Sequence, residues 1–168
     1  PHDWATHQHI TTTDRIVIIG AYLPSRRVTE SLAKQWNNDI IVIDNDAEKL
    51  GWVDDVAGVI GVHGDVMNDD VLSAVNASDA SLIVSTALQS RVSAMVMEID
   101  GPDRIVYASV APEARRFYDA GASFVIVPDL AVAEELDGHI SSMRTEAGRT
   151  MLREAGQALL RSMYESNR

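Results

Sequence analysis

Short apolar runs rich in β-branched residues alternate along this chain with segments of helical periodicity. The first run, residues 15–19, ends in Gly20, and the second, residues 39–43, ends in Asp44. Neither run alternates with polar residues, which is typical of central strands that helices cover on both faces. Because parallel crossovers are almost always right-handed, six such units predict an α/β fold: a Rossmann-like, doubly wound, parallel six-stranded sheet of order 3-2-1-4-5-6 with a C-terminal helical extension.

The individual elements follow from periodicity. The expected strands lie near residues 15–20, 39–44, 59–63, 81–86, 104–109 and 123–127. Four helices are predicted from apolar residues at helical spacing, namely Val28, Leu32, Ala33 and Trp36; Val71, Leu72 and Val75; Val92, Met95, Val96 and Ile99; and Ala114, Phe117 and Tyr118. A long helical region starts at Pro128 and Asp129, with Gly138 and Gly148 as interruptions. Its last part carries an apolar face made of Met151, Leu152, Ala155, Leu159, Leu160 and Met163.

This pattern divides the chain into three segments. Residues 1–13 show no periodicity and are interpreted as a linker or tail, so His2, His7 and His9 are read as solvated residues rather than metal ligands. Residues 14–128 form the predicted Rossmann domain, and residues 129–168 form the predicted crossover and dimerisation helices. The amphipathic last helix needs a cover, for which we favour a second subunit over the parent domain.

Composition narrows the function classes. The chain has 168 residues, 46% of them apolar, which is enough for one hydrophobic core. A net charge of -11 with only 14 basic residues disfavours a nucleic-acid partner. The absence of cysteine excludes disulfides, thiolate catalysis and cysteine-based zinc sites. Because the sequence starts at Pro1 rather than Met, we expect a fragment, and any membrane segment before it would lie outside the sequence.

The turn after the first strand carries one of the three glycines of the dinucleotide-binding pattern G-x-G-x-x-G. Gly20 fits the first position, whereas Tyr22 and Ser25 occupy the second and third. Tyr22 is expected to fill the space that a phosphate would take, and Ser25 to cap the following helix. Arg26 is expected to attract an anion to that helix. NAD and ATP are therefore doubtful ligands, and the cofactor stays unknown.

Acidic residues follow the second and third strands. Asp44 lies 24 residues after Gly20, where a carboxylate commonly holds ribose hydroxyls. Another interpretation, which does not exclude the first, is a turn residue that caps the next helix. Asp65 follows the third strand and Thr86 follows the fourth, so both lie at the carboxyl edge where ligands of such sheets bind. His63 is interpreted as structural.

No catalytic motif is present. The chain has no G-x-S-x-G elbow, no phosphate-binding G-x-x-x-x-G-K-[ST] loop and no H-E-x-x-H helix. It also lacks room for a second domain that would supply a general acid or base to a dehydrogenase. We therefore predict that the protein is not an enzyme.

Several elements together resemble the TrkA-N, or RCK (regulator of potassium conductance), family, in its channel-linked branch with a degenerate glycine motif. These elements are residues 15–20, 43–46, 62–65 and 80–84, and the run from Asp119 to Pro128. The resemblance implies a cytoplasmic ligand-sensing domain that gates a potassium channel or transport system. It also implies a homodimer or larger gating ring, tethered to a membrane-embedded pore or transporter at the inner face of the cell membrane.

The resemblance places the ancestral ligand cleft at Gly20, Tyr22, Ser25, Asp44, Asp65 and Thr86, with no metal site. Relatives gated by calcium carry carboxylates where this chain has Ser85, Ala108 and Val110. A cation site built from Asp65, Asp69 or Asp70 stays an alternative to a solvated acidic turn. Two other functions stay open: the NAD(P)-binding domain of an oxidoreductase, and the nucleotide-binding soluble subunit of a Trk- or Ktr-type potassium transporter.

Overall fold

The computed structural model describes residues 15–35 and 39–165, without the side chains of residues 159, 160 and 162–165. The predicted tail 1–13, Trp36, and the side chains of Leu159, Leu160 and Met163 therefore lie outside the description. The chain divides into two compact units, the first ending at Val127 and the second beginning at Pro128.

The first unit is built on a parallel sheet of order β3-β2-β1-β4-β5-β6. Its strands are β1 (Ile16–Ile19), β2 (Ile40–Asp44), β3 (Val59–His63), β4 (Leu82–Ser85), β5 (Asp103–Tyr107) and β6 (Phe124–Ile126). This architecture confirms the predicted fold class and strand order. The strands begin or end within one or two residues of their predicted limits.

The two central strands are buried along their whole length, as their unbroken apolar sequence predicted. Every residue of β1 and β2 is buried, and Ile19 of β1 lies in register with Ile43 of β2 and Ser85 of β4. Strand β3, at one edge, is much more exposed. The fold therefore has its core on both faces of the β2, β1 and β4 strands, and its ligand-binding edge at their carboxyl ends.

Four helices accompany the sheet: α1 (Leu23–Gln35), α2 (Asp69–Ala74), α3 (Ser90–Met97) and α4 (Ala111–Asp119). The face that α1 buries differs from the prediction. Ser25 and Thr29 are fully buried and Leu32 packs against the core, whereas Val28 is 41% exposed. The three inward residues follow one another at intervals of four and then three positions. Val28 does not share this spacing, so it lies on the outer side of the helix although it is apolar.

Tyr118 lies in the predicted helix α4 with Ala114 and Phe117, but it is 47% exposed while those two residues are buried. Its hydroxyl oxygen accepts a hydrogen bond from the Val125 amide at 3.1 Å. Val125 belongs to the edge strand β6, whose outward amides have no neighbouring strand. Tyr118 therefore satisfies an edge amide rather than filling the core.

The second unit consists of α5 (Pro128–Ser142) and α6 (Glu146–Glu165). The predicted interruptions at Gly138 and Gly148 are wrong, because both glycines lie inside helices and the break falls at residues 143–145. Within α5, no residue is buried. In the described part of the chain, no helix has the length and apolarity needed to cross a membrane.

Candidate functional site

An open cleft lies at the carboxyl edge of the sheet, where β1 and β4 meet. At this point the strand order reverses, and the turns after β1 and β4 diverge to opposite faces, which is where doubly wound folds bind ligands. The cleft encloses about 440 Å³, part of it open solvent. Its lining comprises Ile19, Gly20, Tyr22, Ile43, Asp44, Asn45, Gly64, Asp65, Val66, Met67, Ala87, Gln89, Arg91 and Val92.

Gly20 shapes the turn between β1 and α1. Its φ of +96° is strained for any residue with a side chain, and a Cβ there would lie 2.8 Å from the Thr86 hydroxyl oxygen. Its amide donates to the Ile43 carbonyl at 2.8 Å. The glycine is therefore required by backbone conformation and by the close approach of the β4 turn.

Asp44, at the end of β2, has a buried carboxylate that binds two backbone amides. One oxygen accepts from the Ala21 amide at 2.7 Å, and the other accepts from the Asp46 amide at 2.9 Å. The residue that caps the following short helix, Ala47–Leu50, is Asp46, whose side chain accepts from the Glu48 amide. The alternative reading of Asp44 as a helix cap is therefore wrong, and its carboxylate instead fixes the turn after β1.

Tyr22 lies at the mouth of the cleft and is 39% exposed. The Lys49 ammonium lies 4.8 Å from the centroid of its ring, within cation–π distance, and 3.5 Å from the Asp46 carboxylate. Desolvation lowers the pKa of Lys49, but the electrostatic influence of Tyr22, Asp44 and Asp46 outweighs it and holds this pKa above its ordinary value. The aromatic ring thus occupies the turn beside Gly20, on the path that a pyrophosphate would take.

Ser25 and Arg26 do not line the cleft. Helix α1 begins at Leu23, so Ser25 lies in its first turn rather than at the cap, and its hydroxyl donates to the Tyr22 carbonyl at 2.6 Å. The Arg26 guanidinium donates to Glu30 at 2.9 Å and lies 5.9 Å from the centroid of the Trp52 ring. The predicted capping role of Ser25 is wrong, and Arg26 is engaged along the helix.

Thr86 lies behind the cleft. Its hydroxyl is within 3.2 Å of the carbonyl oxygens of both Ile19 and Gly20, and its amide donates to Ile19 at 2.9 Å. This side chain therefore ties the β4 turn to the β1 turn and positions Gly20.

Asp65 lies in the cleft on the side of β3 and is exposed. Its carboxylate accepts from the Met67 amide at 2.9 Å, which closes a tight turn before α2. The preceding Gly64 donates its amide to the Asp44 carbonyl at 3.0 Å. In the described part of the chain, no three His, Asp or Glu residues are grouped closely enough to hold a metal ion.

Gln89 and Arg91 are among the lining residues that were not predicted from the sequence. Both follow β4, at the start of α3, and the Arg91 Nε donates to the Gln89 side-chain oxygen at 3.0 Å. Their position in the strand order could have identified them, because the turn after β4 faces Gly20 across the point where the strand order reverses. Arg91 is the basic residue of the described lining.

Glu113 fixes the start of α3 against the turn after β5. Its carboxylate accepts from the Ser109 amide at 2.8 Å, the Ser109 hydroxyl at 3.0 Å and the Ser90 hydroxyl at 3.0 Å. Desolvation raises the pKa of Glu113, but these hydrogen bonds and the charge of Arg116 outweigh it, so the pKa is lowered. Since Ser90 directly precedes Arg91, the ionised Glu113 helps to hold the helix that presents Arg91 to the cleft.

Comparison with solved structures finds several chains with the same fold. The AMP-bound Kef CTD of Shewanella denitrificans aligns with a TM-score of 0.67 and 17% identity, covering 91% of this chain and 94% of that one. The NAD-bound GsuK channel aligns with a TM-score of 0.56 and 20% identity, covering 71% of this chain and 22% of the channel. At these identities the similarity establishes the fold alone.

Sequence comparison is more specific. The Trk system potassium uptake protein TrkA of Vibrio alginolyticus is 34% identical over 71 residues, which are 42% of this chain and 15% of that protein. This chain thus spans a small part of its relative's length. The TrkA-N domain family matches residues 16–128, which include all six strands. The chain therefore belongs to the TrkA-N domain family.

Proposed function

We propose that this chain is the ligand-sensing regulatory domain of a potassium channel or potassium transport system. The observation that carries the proposal is the open cleft between the β1 and β4 turns, lined by Gly20, Tyr22, Asp44 and Asp65 in a TrkA-N fold. The relatives add support, because TrkA is a potassium uptake protein, GsuK is a channel seen with NAD, and the Kef domain is seen with AMP.

A regulatory role fits the lining better than a catalytic one. In the cleft as described, the lining contains no Ser, Thr, Cys, His or Lys that would act as a nucleophile or proton carrier near neutral pH. The Asp44 carboxylate is occupied by two amides, so it serves as a hydrogen-bond acceptor for the turn rather than as a free base. Binding without turnover is the chemistry that these groups support.

Ligand binding in this cleft acts by shifting a population of conformations. The cleft is formed by turns that belong to two neighbouring strands and to helices on opposite faces of the sheet, so a ligand that contacts both turns favours one arrangement of them. The pore responds only as far as the ligand prefers that arrangement over the alternative. We place the domain on the cytoplasmic side, at the inner face of the membrane, where it contacts its transport partner.

A homodimer or larger ring is part of the proposal. Helix α5 carries an exposed apolar stripe of Val132, Leu136 and Ile140, each four residues from the next and each more than half exposed. Such a stripe on a regular helix is suited to cover by a second copy. Light scattering should show a dimer or larger assembly that Leu136→Glu dissociates, whereas Ala131→Glu, off the stripe, leaves it intact. A wild-type monomer at high concentration would contradict the assembly.

The function itself is tested by transport. The full-length protein that carries this chain is reconstituted in liposomes with its membrane component, and rubidium flux is measured with and without AMP, ADP or NAD. We expect flux to change severalfold with one of these nucleotides. A rubidium flux that does not change with any of the three nucleotides would contradict the regulatory role. Oxidation of NADH in the presence of a carbonyl substrate would instead favour the oxidoreductase alternative.

A further inference from the structure

We propose that Arg91 anchors the phosphate of a nucleoside monophosphate in this cleft, replacing the turn amides that hold a pyrophosphate in a glycine-rich site. This inference rests on the proposed function, since it assigns a ligand class and an anchoring residue to the same cleft. Its starting point is that the turn after β1 has few donors to offer a phosphate.

Three backbone donors of that turn and of the first turn of α1 are engaged or missing. The Gly20 amide donates to the Ile43 carbonyl, and the Ala21 amide donates to the buried Asp44 carboxylate at 2.7 Å. Pro24, in the first turn of α1, has no amide hydrogen. Phosphate sites at the start of a helix depend on such backbone donors. A phosphate bound here therefore lacks these three donors, and another element can replace them.

Arg91, after β4, supplies hydrogen-bond donors from the other side of the cleft. Its Nε donates to Gln89, which orients the guanidinium, and this leaves the two terminal nitrogens for a ligand. Among the described residues of the first unit, 15–35 and 39–127, no carboxylate lies within ion-pair distance of Arg91. A planar guanidinium donates two parallel hydrogen bonds to a phosphate, which fixes both its position and its orientation.

The negative and positive side chains of the cleft lie on opposite sides of β1, and this separation suits a nucleotide. The acidic lining residues, Asp44 and Asp65, follow β2 and β3, whereas Arg91 follows β4, on the other side of β1. Strands are about 4.8 Å apart, so β2 and β4 are separated by roughly 10 Å. A phosphate is repelled from the acidic end and attracted to the Arg91 end, while sugar hydroxyls can donate to the carboxylates. This polarity matches a ribose joined to one phosphate.

The same geometry disfavours a dinucleotide. The pyrophosphate of a dinucleotide would lie against the β1 turn, where the Tyr22 ring lies beside Gly20 and beneath Lys49. A Cβ at Gly20 would already be 3.2 Å from that ring, which shows how closely it covers the turn. A single phosphate held by Arg91 on the β4 side does not depend on the turn amides that this ring covers. The ligand class is therefore a nucleoside monophosphate rather than NAD.

The experiment compares AMP with adenosine by calorimetry, using the full chain. Wild type should bind AMP roughly tenfold or more tightly than adenosine, the effect of a charge-assisted hydrogen-bond pair. Arg91→Gln should abolish this preference and leave the adenosine affinity unchanged, and Arg91→Lys should keep only part of it. The matched control is Arg115→Gln, an exposed arginine of α4 outside the cleft, which should behave as wild type.

The outcomes separate this inference from the proposed function. If wild type prefers AMP and Arg91→Gln keeps that preference, Arg91 is not the anchor, although nucleotide sensing stands. If NAD binds more tightly than AMP, the assigned ligand class is wrong. If wild type binds none of these nucleotides, both the inference and nucleotide sensing fail. Circular dichroism should show the same unfolding midpoint for Arg91→Gln and wild type, because this side chain is exposed.

Discussion

The Asp44 carboxylate and the Ala21 amide form a buried hydrogen bond of 2.7 Å between the end of β2 and the turn after β1. The other carboxylate oxygen accepts from Asp46 at 2.9 Å, so one side chain fixes the turns that follow two neighbouring strands. A ribose hydroxyl that reached Asp44 would add to these bonds rather than create them. The residue therefore supports the shape of the cleft even when no ligand is bound.

We expect Asp44→Asn to destabilise the first unit by roughly 1–3 kcal/mol, because an amide group would direct its own N–H at one of the two backbone donors. The measurement is urea unfolding followed by circular dichroism. Asp54→Asn is the matched control, since Asp54 is exposed and its change should stay within about 0.5 kcal/mol. Equal effects of the two substitutions would show that the Asp44 hydrogen bonds contribute little.

Gly20→Ala tests how tightly the β1 and β4 turns approach each other. Gly58 also has a positive φ, +81°, but a Cβ there meets nothing within 4 Å, whereas at Gly20 it meets the Thr86 oxygen at 2.8 Å. Gly58→Ala should therefore cost about 1–2 kcal/mol of unfolding free energy from backbone strain alone. Gly20→Ala should cost at least about 1 kcal/mol more. Similar losses at both sites would mean that the Thr86 turn moves away easily.

The lowered pKa of Glu113 predicts an acid-dependent stability. Since the pKa of Glu113 is lower in the folded chain, the ionised carboxylate stabilises the fold at pH values above the unfolded pKa, about 4.5, and this contribution is lost as pH falls through the folded pKa. Glu113→Gln should cost roughly 1–2 kcal/mol at pH 7. The difference from wild type should shrink as pH falls from 5 to 3.

The measurement for Glu113 is chemical unfolding of both proteins across this pH range. Glu98→Gln serves as the control, because Glu98 is an exposed residue at the end of α3 and should show a difference within about 0.5 kcal/mol at pH 7. A Glu113→Gln difference that stays constant down to pH 3 would contradict the ionised hydrogen-bond network.

The sheet could be predicted from the sequence because the signal for buried parallel strands is local. The unbroken apolar runs of β1 and β2 determine strand type and burial together. The roles of side chains around the cleft were harder to predict from the sequence. Ser25 was expected at a helix cap, but a helix that begins two residues earlier buries it, and one residue of shift along a helix turns a side chain by about 100°.

Arg91 shows a second reason why the site could not be predicted fully from the sequence. Nothing in its immediate sequence marks it as a site residue, and only the strand order brings the turn after β4 opposite Gly20. Asp44, by contrast, was found from its spacing to Gly20, because the β1–α1–β2 unit is a local motif. Sequence therefore identified Asp44, Asp65 and Thr86 as residues at the carboxyl edge, whereas the position of Arg91 in the cleft, five residues after Thr86, required the structure.

Tyr22→Gly tests whether the aromatic ring keeps a dinucleotide out. Removing the ring opens the path beside Gly20 and frees the Lys49 ammonium from its contact at 4.8 Å, so it can reach a pyrophosphate. Glycine is also well tolerated at the position before a helix. We expect NAD affinity, measured by calorimetry, to rise roughly tenfold, which corresponds to about 1.4 kcal/mol. Tyr22→Phe keeps the ring and the cation–π contact, so its NAD affinity should match that of wild type. An unchanged isotherm for Tyr22→Gly at saturating NAD would instead place the obstacle in the backbone donors, because the Ala21 amide is engaged by Asp44 and Pro24 has no amide hydrogen.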